Sequence, residues 1–159
     1  METATANFDV QLTTKSRLNE FDPQNIVFGT QFTDHMLVAD CINGEWQTPK
    51  IMPYGEIAYN PAIASLHYGQ SIFEGMKAYR SPNGQPILFR PEENWKRMNH
   101  SAERLCMPEI PETLFMEGLK TLINTDHAWV PKTPGSSLYI RPFLFATDEY
   151  TGIRISDHY

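Results

Sequence analysis

Three stretches of this 159-residue chain hold side chains able to do chemistry. In the first, Ser137 to Ala146, strand geometry sends alternate side chains to opposite faces. Leu138, Ile140, Leu144 and Ala146 then share one side, and Tyr139, Arg141, Phe143 and Phe145 the other. A guanidinium among three aromatics, backed by an apolar face, is suited to gripping a carboxylate with two parallel hydrogen bonds. The same pattern also describes an arginine that stacks on a tyrosine, pairs with a structural acid and snorkels to water. The second stretch is a helix from Glu92 to Cys106, where Lys96, His100 and Arg104 recur every four residues with Arg97 beside them. Such a cationic face could take a phosphate, or it could be a solvated face with pairs such as Glu93 to Arg97. The third is His67-Tyr68-Gly69-Gln70-Ser71-Ile72-Phe73-Glu74-Gly75. Its two glycines suit a sharp bend or a close backbone approach, which would set Tyr68 and Phe73 at a pocket wall. Core aromatics with plain turn glycines would read the same.

The elements that must carry these residues follow from periodicity and punctuation. Phe8, Val10 and Leu12 alternate with polar residues and predict a short strand. Met36–Ile42 runs into Asn43-Gly44, the favoured pair for a tight hairpin, and Trp46–Ile51 returns, with Pro49 marking an edge strand. Tyr54–Tyr59 is a third candidate strand. Asn60-Pro61 opens a short helix that His67-Tyr68-Gly69 interrupts. Met76–Arg80 and Pro86–Arg90 flank the turn Ser81-Pro82-Asn83-Gly84. Pro91-Glu92-Glu93 begins the cationic helix, whose buried stripe is Trp95, Met98, Ala102 and Leu105. After Pro108 and Pro111, a further helix turns Leu114, Phe115, Leu119, Leu122 and Ile123 inward. Ser137–Thr147 is one long strand. Hairpins without βαβ alternation predict an α+β fold, a mainly antiparallel sheet covered by helices. Residues 1–7 are expected to be loose, 8–152 to form one small α+β domain, and 153–159 to start an interdomain linker.

Composition excludes several classes. With 41% apolar and 20% charged residues the chain is an ordinary globular one, and its net charge of −6 argues against a nucleic-acid partner. No unbroken apolar run exceeds four residues, as in Phe143–Ala146, so no membrane partner is expected. Met1–Val10 has neither basic residues nor an apolar core, so it is no secretory signal. Cys41 and Cys106 are then read as reduced thiols of a cytoplasmic protein. The chain has no glycine-rich nucleotide loop and no nucleophile elbow, and its five histidines stand at spacings of no metal module.

The runs Phe28–Met36, Ser65–Tyr79, Leu88–Pro91, Arg97–Cys106 and Ser137–Pro142, taken in order, closely resemble the N-terminal half of the branched-chain amino-acid aminotransferases, pyridoxal-phosphate enzymes of fold type IV. The resemblance covers about residues 8–159. It implies the small N-terminal domain of that fold. It also implies an enzyme, homodimeric or larger, that moves an amino group between leucine, isoleucine or valine and 2-oxoglutarate. The cofactor phosphate would be held by Arg97. Phe28, Phe73 and Tyr139 would line the pocket for the branched side chain. Arg141 would pair with the distal carboxylate of the acidic co-substrate. Tyr68, Thr151 and Ile153 would reach the neighbouring subunit's site, with Thr151 standing where the family often has an apolar residue.

Amino transfer also needs a lysine to hold the cofactor aldehyde and shuttle the proton. The family carries it in a second domain, before a Gly-Gly-Asn-Tyr-like run. None of Lys15, Lys50, Lys77, Lys96, Lys120 or Lys132 has such surroundings. The expectation is a small domain that supplies cofactor-phosphate and substrate-pocket residues, has no catalytic residue of its own and is inactive alone. A related fold-type IV enzyme (a D-amino-acid aminotransferase or an aminodeoxychorismate lyase) and a non-catalytic dimerisation or regulatory module are the alternatives. Tyr139-Ile140-Arg141 and Phe28-Gly29-Thr30 speak for the branched-chain group. The guanidinium groups of Arg97 and Arg141 are expected to converge on one cavity.

Overall fold

A computed structural model describes residues 7–22 and 25–159. The loose N-terminus expected over 1–7 lies outside the described residues, except for the exposed Asn7. The elements run β1 (Asp9–Val10), a 3-10 turn (Leu18–Glu20), β2 (His35–Val38), β3 (Cys41–Ile42), β4 (Glu45–Trp46), β5 (Lys50–Pro53) and α1 (Ala64–Tyr68). They continue with β6 (Ser71–Phe73), β7 (Met76–Arg80), β8 (Pro86–Leu88), α2 (Pro91–Arg104), α3 (Glu112–Thr125), a 3-10 turn (His127–Trp129), β9 (Leu138–Ile140) and β10 (Phe143–Phe145).

Four small sheets result, ordered β1-β5-β2, β10-β6, β3-β4 and β8-β7-β9. Only β1 with β5 is parallel among the described strands; the other pairings are antiparallel. The α+β class and its antiparallel bias therefore hold. Asn43 and Gly44 both adopt positive φ, 53° and 80°, as the tight hairpin between β3 and β4 requires. The second hairpin, β7 to β8, also forms where its turn residues put it, with Gly84 at φ 84°.

The core lies between α2, α3 and the strands. Met98 and Ala102 of α2 and Leu114, Phe115, Leu119 and Ile123 of α3 pack with Cys41, Met76, Ala78, Leu144 and Ala146. On α2 the fully buried residues are Asn94, Met98 and Ala102, Trp95 packs half-buried against the core, and Leu105 lies beyond the helix end and is exposed. On α3, Gly118 lets Leu37 of β2 and Phe8 press onto the helix, since a Cβ there would stand 2.7 Å from Leu37 Cδ2.

Several expectations fail for identifiable reasons. β5 is central, not an edge: Pro49 lies one residue before it, where no N–H is needed, and its carbonyl accepts from Asp9 N at 3.0 Å. Tyr54–Tyr59 forms no strand. The Asn60 side chain caps a turn at Ala62 N, at 2.9 Å, and α1 starts only at Ala64. The long strand over Ser137–Thr147 is two strands in two sheets, broken at Arg141-Pro142 because proline has no N–H for the ladder.

In the stretch 153–159, expected to start a linker, Ile153 and Ile155 are exposed, whereas Ser156 and Tyr159 are buried against the domain. Tyr159 exchanges backbone bonds with Cys41 at 2.9 and 3.0 Å, and its ring is buried in the core. Asn43 N donates to Asp157 O at 2.8 Å and Thr147 N to His158 O at 2.9 Å.

Candidate functional site

The break at Arg141-Pro142 builds the site. Across it, β6 pairs with β10 so that Phe73 faces Phe143, and β7 pairs with β9 so that Lys77 faces Tyr139. Glu74 and Gly75 form the matching break on the other side, where Glu74 N donates to Pro142 O at 3.0 Å. Freed from either ladder, the Arg141 side chain lies over two rings. Its guanidinium carbon is 4.7 Å from the Phe73 centroid and 5.5 Å from that of Tyr139. Both distances suit a cation above an aromatic face. Arg141 Nη2 also points at Tyr139 Oη from 3.5 Å, and Phe28 meets the Tyr139 ring edge-on at 5.2 Å.

Phe28, Phe73, Tyr139 and Arg141, singled out in sequence, thus form one cluster from three separate parts of the chain. Among the described residues no ion pair engages Arg141, so the structural acid of the bland alternative is not found. The cluster is an open face: Phe28 is 72% and Phe73 61% exposed. An apolar wall around an accessible guanidinium can receive an aliphatic chain or a carboxylate.

Gly75 seats the tyrosine. A Cβ at that position would overlap Tyr139 Oη and stand 3.0 Å from its Cζ. Of the two bracketing glycines, Gly75 therefore serves a close approach. Gly69 serves the bend, closing α1 at φ 68°.

Arg97 projects from α2 and is gripped by Glu74, Nε to Oε1 at 2.9 Å and Nη2 to Oε2 at 3.0 Å. Glu93, the intrahelical partner in the solvated-face alternative, pairs with Lys96 at 3.0 Å instead. The Glu74 carboxylate also accepts from Asn94 Nδ2 at 2.9 Å and from Gly75 N at 3.2 Å. Burial opposes ionisation of Glu74, but the bonds from Arg97, Asn94 and Gly75 outweigh it and hold the carboxyl below its ordinary value of 4.5. The same bond to Glu74 raises Arg97. The two guanidinium groups therefore engage consecutive residues, Arg141 through Phe73 and Arg97 through Glu74.

Tyr68, Thr151 and Ile153 are all exposed, Ile153 at 95%. Tyr68 ends α1, and the segment before Thr151 is tied to the start of α1 through the Ile63–Glu149 bridge and Ala64 N to Asp148 O at 3.0 Å. No hydrogen bond or ring contact joins these three residues to the Arg141 cluster among the described residues.

Sequence reasoning missed Glu74 as the partner of Arg97, and Asn94 as the donor that holds Glu74. An asparagine on the apolar stripe of α2 was the available signal, because a buried amide needs a partner. It also missed a buried polar anchor beneath β2. Asp34 accepts from Ser16 Oγ at 2.6 Å, Arg17 N at 2.8 Å and Trp129 Nε1 at 3.0 Å. His35 bonds Asp126 through Nδ1 at 2.6 Å and accepts from Thr13 N at Nε2 at 2.9 Å.

No family model matches the chain. Among curated proteins, it is 47% identical over 139 residues to a Bacillus subtilis protein named branched-chain-amino-acid aminotransferase 2, covering 87% of this chain and 38% of that one. It is 50% identical over 139 residues, with the same coverages, to a probable branched-chain-amino-acid aminotransferase of Staphylococcus epidermidis. Among solved structures, that of the Escherichia coli branched-chain amino acid aminotransferase superposes with a TM-score of 0.53 at 28% identity, over 72% of this chain and 35% of that one. The chain thus spans 38% of the length of each of these two curated relatives. Over the stretch it spans, the chain is similar in sequence and in fold to proteins named branched-chain-amino-acid aminotransferases.

Proposed function

We propose that this chain contributes half of the substrate pocket and one phosphate contact to an enzyme that moves an amino group between leucine, isoleucine or valine and 2-oxoglutarate. The observation that carries the proposal is the Arg141 guanidinium lying 4.7 Å from the Phe73 ring centroid, with Tyr139 and Phe28 beside it. One site must take an uncharged branched chain in one half-reaction and a distal carboxylate in the other. An arginine stacked on aromatic faces serves both: the rings and the flat guanidinium face pack against methyl groups, and the guanidinium edge binds the carboxylate.

Pyridoxal 5'-phosphate fits the residues present. The Arg97 side chain is 59% exposed, and with Nε and Nη2 bonded to Glu74 its outer edge is left toward solvent for a phosphate. The cofactor, when bound, withdraws electrons from the amino acid's α-carbon and carries the amino group between the two substrates. This chain would anchor the phosphate through Arg97 and select substrates through Phe28, Phe73, Tyr139 and Arg141. It would add Tyr68, Thr151 and Ile153 to the site of a second copy in a homodimer or larger assembly. Exposed apolar side chains such as Phe143, Ile153 and Tyr68 are the kind an assembly covers. A reducing cytoplasm suits two free thiols, one of them exposed.

The test is an amino-transfer assay on the polypeptide in which this stretch sits, offering leucine, isoleucine and valine with 2-oxoglutarate. D-alanine with 2-oxoglutarate, and aminodeoxychorismate, serve as competing substrates. Turnover of the branched-chain acids supports the proposal. Preference for either competitor moves the protein to a related fold-type IV activity, and no turnover of any favours a non-catalytic module. In an active enzyme, Arg141→Ala should raise KM for 2-oxoglutarate more than KM for leucine.

A further inference from the structure

We propose that Glu74 is a positioning residue, which clamps the inner edge of the Arg97 guanidinium so that only its outer edge can meet a phosphate monoester. The proposal deepens the assignment of Arg97 to the cofactor phosphate and rests on it.

The clamp is asymmetric. Glu74 is 13% exposed and Arg97 59%, so the carboxylate is the base and the guanidinium the outward head. The base is itself fixed from two elements. Asn94, buried on α2, donates to Glu74 Oε2 at 2.9 Å and to Gly75 O at 3.2 Å, while Gly75 N donates to Glu74 Oε2 at 3.2 Å. A guanidinium offers five N–H donors in a rigid fork. Glu74 takes Nε–H and one proton of Nη2, leaving the other Nη2 proton and one Nη1 proton along the outer edge, with the second Nη1 proton on the side of Cδ. An exposed arginine otherwise spreads over many rotamers, and ordering it on binding weakens the complex. A preformed clamp removes that loss.

An opposing effect sets the sign of the test. The Glu74 charge repels an anion and neutralises part of the cation that attracts it. The anion would sit on the far side of the guanidinium in a solvated site, where repulsion between separated charges is weak. Ordering by two charge-assisted bonds should win.

The experiment titrates the isotope-labelled chain with pyridoxine 5'-phosphate, which has no aldehyde to react with lysines, and with pyridoxine as the phosphate-free control. The arginine N–H resonances are followed. In the wild type the outer N–H signals should shift while Arg97 Nε–H stays bonded to Glu74. Glu74→Gln should weaken phosphate-dependent binding about fivefold to tenfold, and Glu74→Asp, which keeps the charge, should recover part of it. If Glu74→Gln binds as tightly as the wild type or more tightly, while Arg97→Ala abolishes binding, the clamp is wrong and Arg97 stands. If Arg97→Ala binds like the wild type, or if the wild type shows no phosphate-dependent shift at Arg97, both assignments fall. Should Glu74→Gln not fold, the wild-type spectrum decides: release of Nε–H from Glu74 on saturation overturns the clamp, and its retention supports it.

Discussion

The Tyr139 phenol lies against the α-carbon of Gly75, in the space a side chain at residue 75 would fill. Gly75 is not held at positive φ, so its need is for room and not for a special backbone conformation. Gly75→Ala should therefore push the ring aside without unfolding the domain. The expected stability change is within about 1 kcal/mol, because the clash is with the far end of a movable side chain and the lost chain freedom of alanine partly offsets it. Contacts between the Tyr139 and Phe28 rings should vanish from the NMR spectrum. Their persistence would mean the phenol is not seated by the glycine.

Acid should weaken the domain, and Asp34 should account for part of it. Burial opposes ionisation of Asp34, but Ser16, Arg17 N–H, Trp129 and the Arg17 charge together hold its carboxyl below 3.8. A carboxyl lowered by folding contributes stability that is present above its unfolded value and lost as pH falls through its folded value. Glu74, held below 4.5, acts with the same sign. Asp34→Asn should cost about 1–3 kcal/mol at pH 7, since it replaces a charged acceptor of three bonds. Urea unfolding between pH 7 and pH 3 should show a flatter acid limb in the variant. An unchanged limb would remove Asp34 from the explanation.

The thiols should differ sharply. Burial raises the Cys41 thiol against a weaker opposing bond from Gly44 N–H, and the residue is fully buried, whereas Cys106 is exposed. A thiol reagent should modify one cysteine per native chain and two after unfolding. Removing 156–159 strips the Tyr159 backbone bonds from Cys41 and a buried aromatic from the core. That truncation should cost about 2–4 kcal/mol and open Cys41 to modification. A slow second thiol in the truncated chain would mean the C-terminal segment is not a structural strap.

By itself the chain should not form a specific cofactor adduct. All six lysines are exposed, and none lies in the desolvated pocket that activates a lysine amine. Lys96 and Lys120 are also paired with Glu93 and Glu117, at 3.0 and 2.7 Å. Pyridoxal phosphate followed by borohydride should give scattered, substoichiometric labelling by mass spectrometry. One stoichiometric lysine adduct would contradict the expected inactivity of the isolated chain.

Local chemistry made much of the architecture legible. Asn43-Gly44 and Ser81–Gly84 determined two hairpins, because few residues adopt their backbone angles. Pro91-Glu92-Glu93 and the apolar spacing behind it determined α2, and alternation along 138–146 sorted the two faces correctly around Arg141. Five ordered motifs determined the kinship and, through it, the residues that cluster at the open face. What the sequence left open were the partners between distant segments. Whether 137–147 stays one strand depends on which neighbours offer a ladder, and here β7 and β6 capture its two halves on either side of Pro142. Whether Arg97 turns to Glu93, one helical turn away on its own helix, or to Glu74, 23 residues earlier, depends on how α2 packs over the β6–β7 break. Periodicity reports which side of an element is apolar. Only tertiary packing decides which half-buried carboxylate a surface arginine finds beneath it.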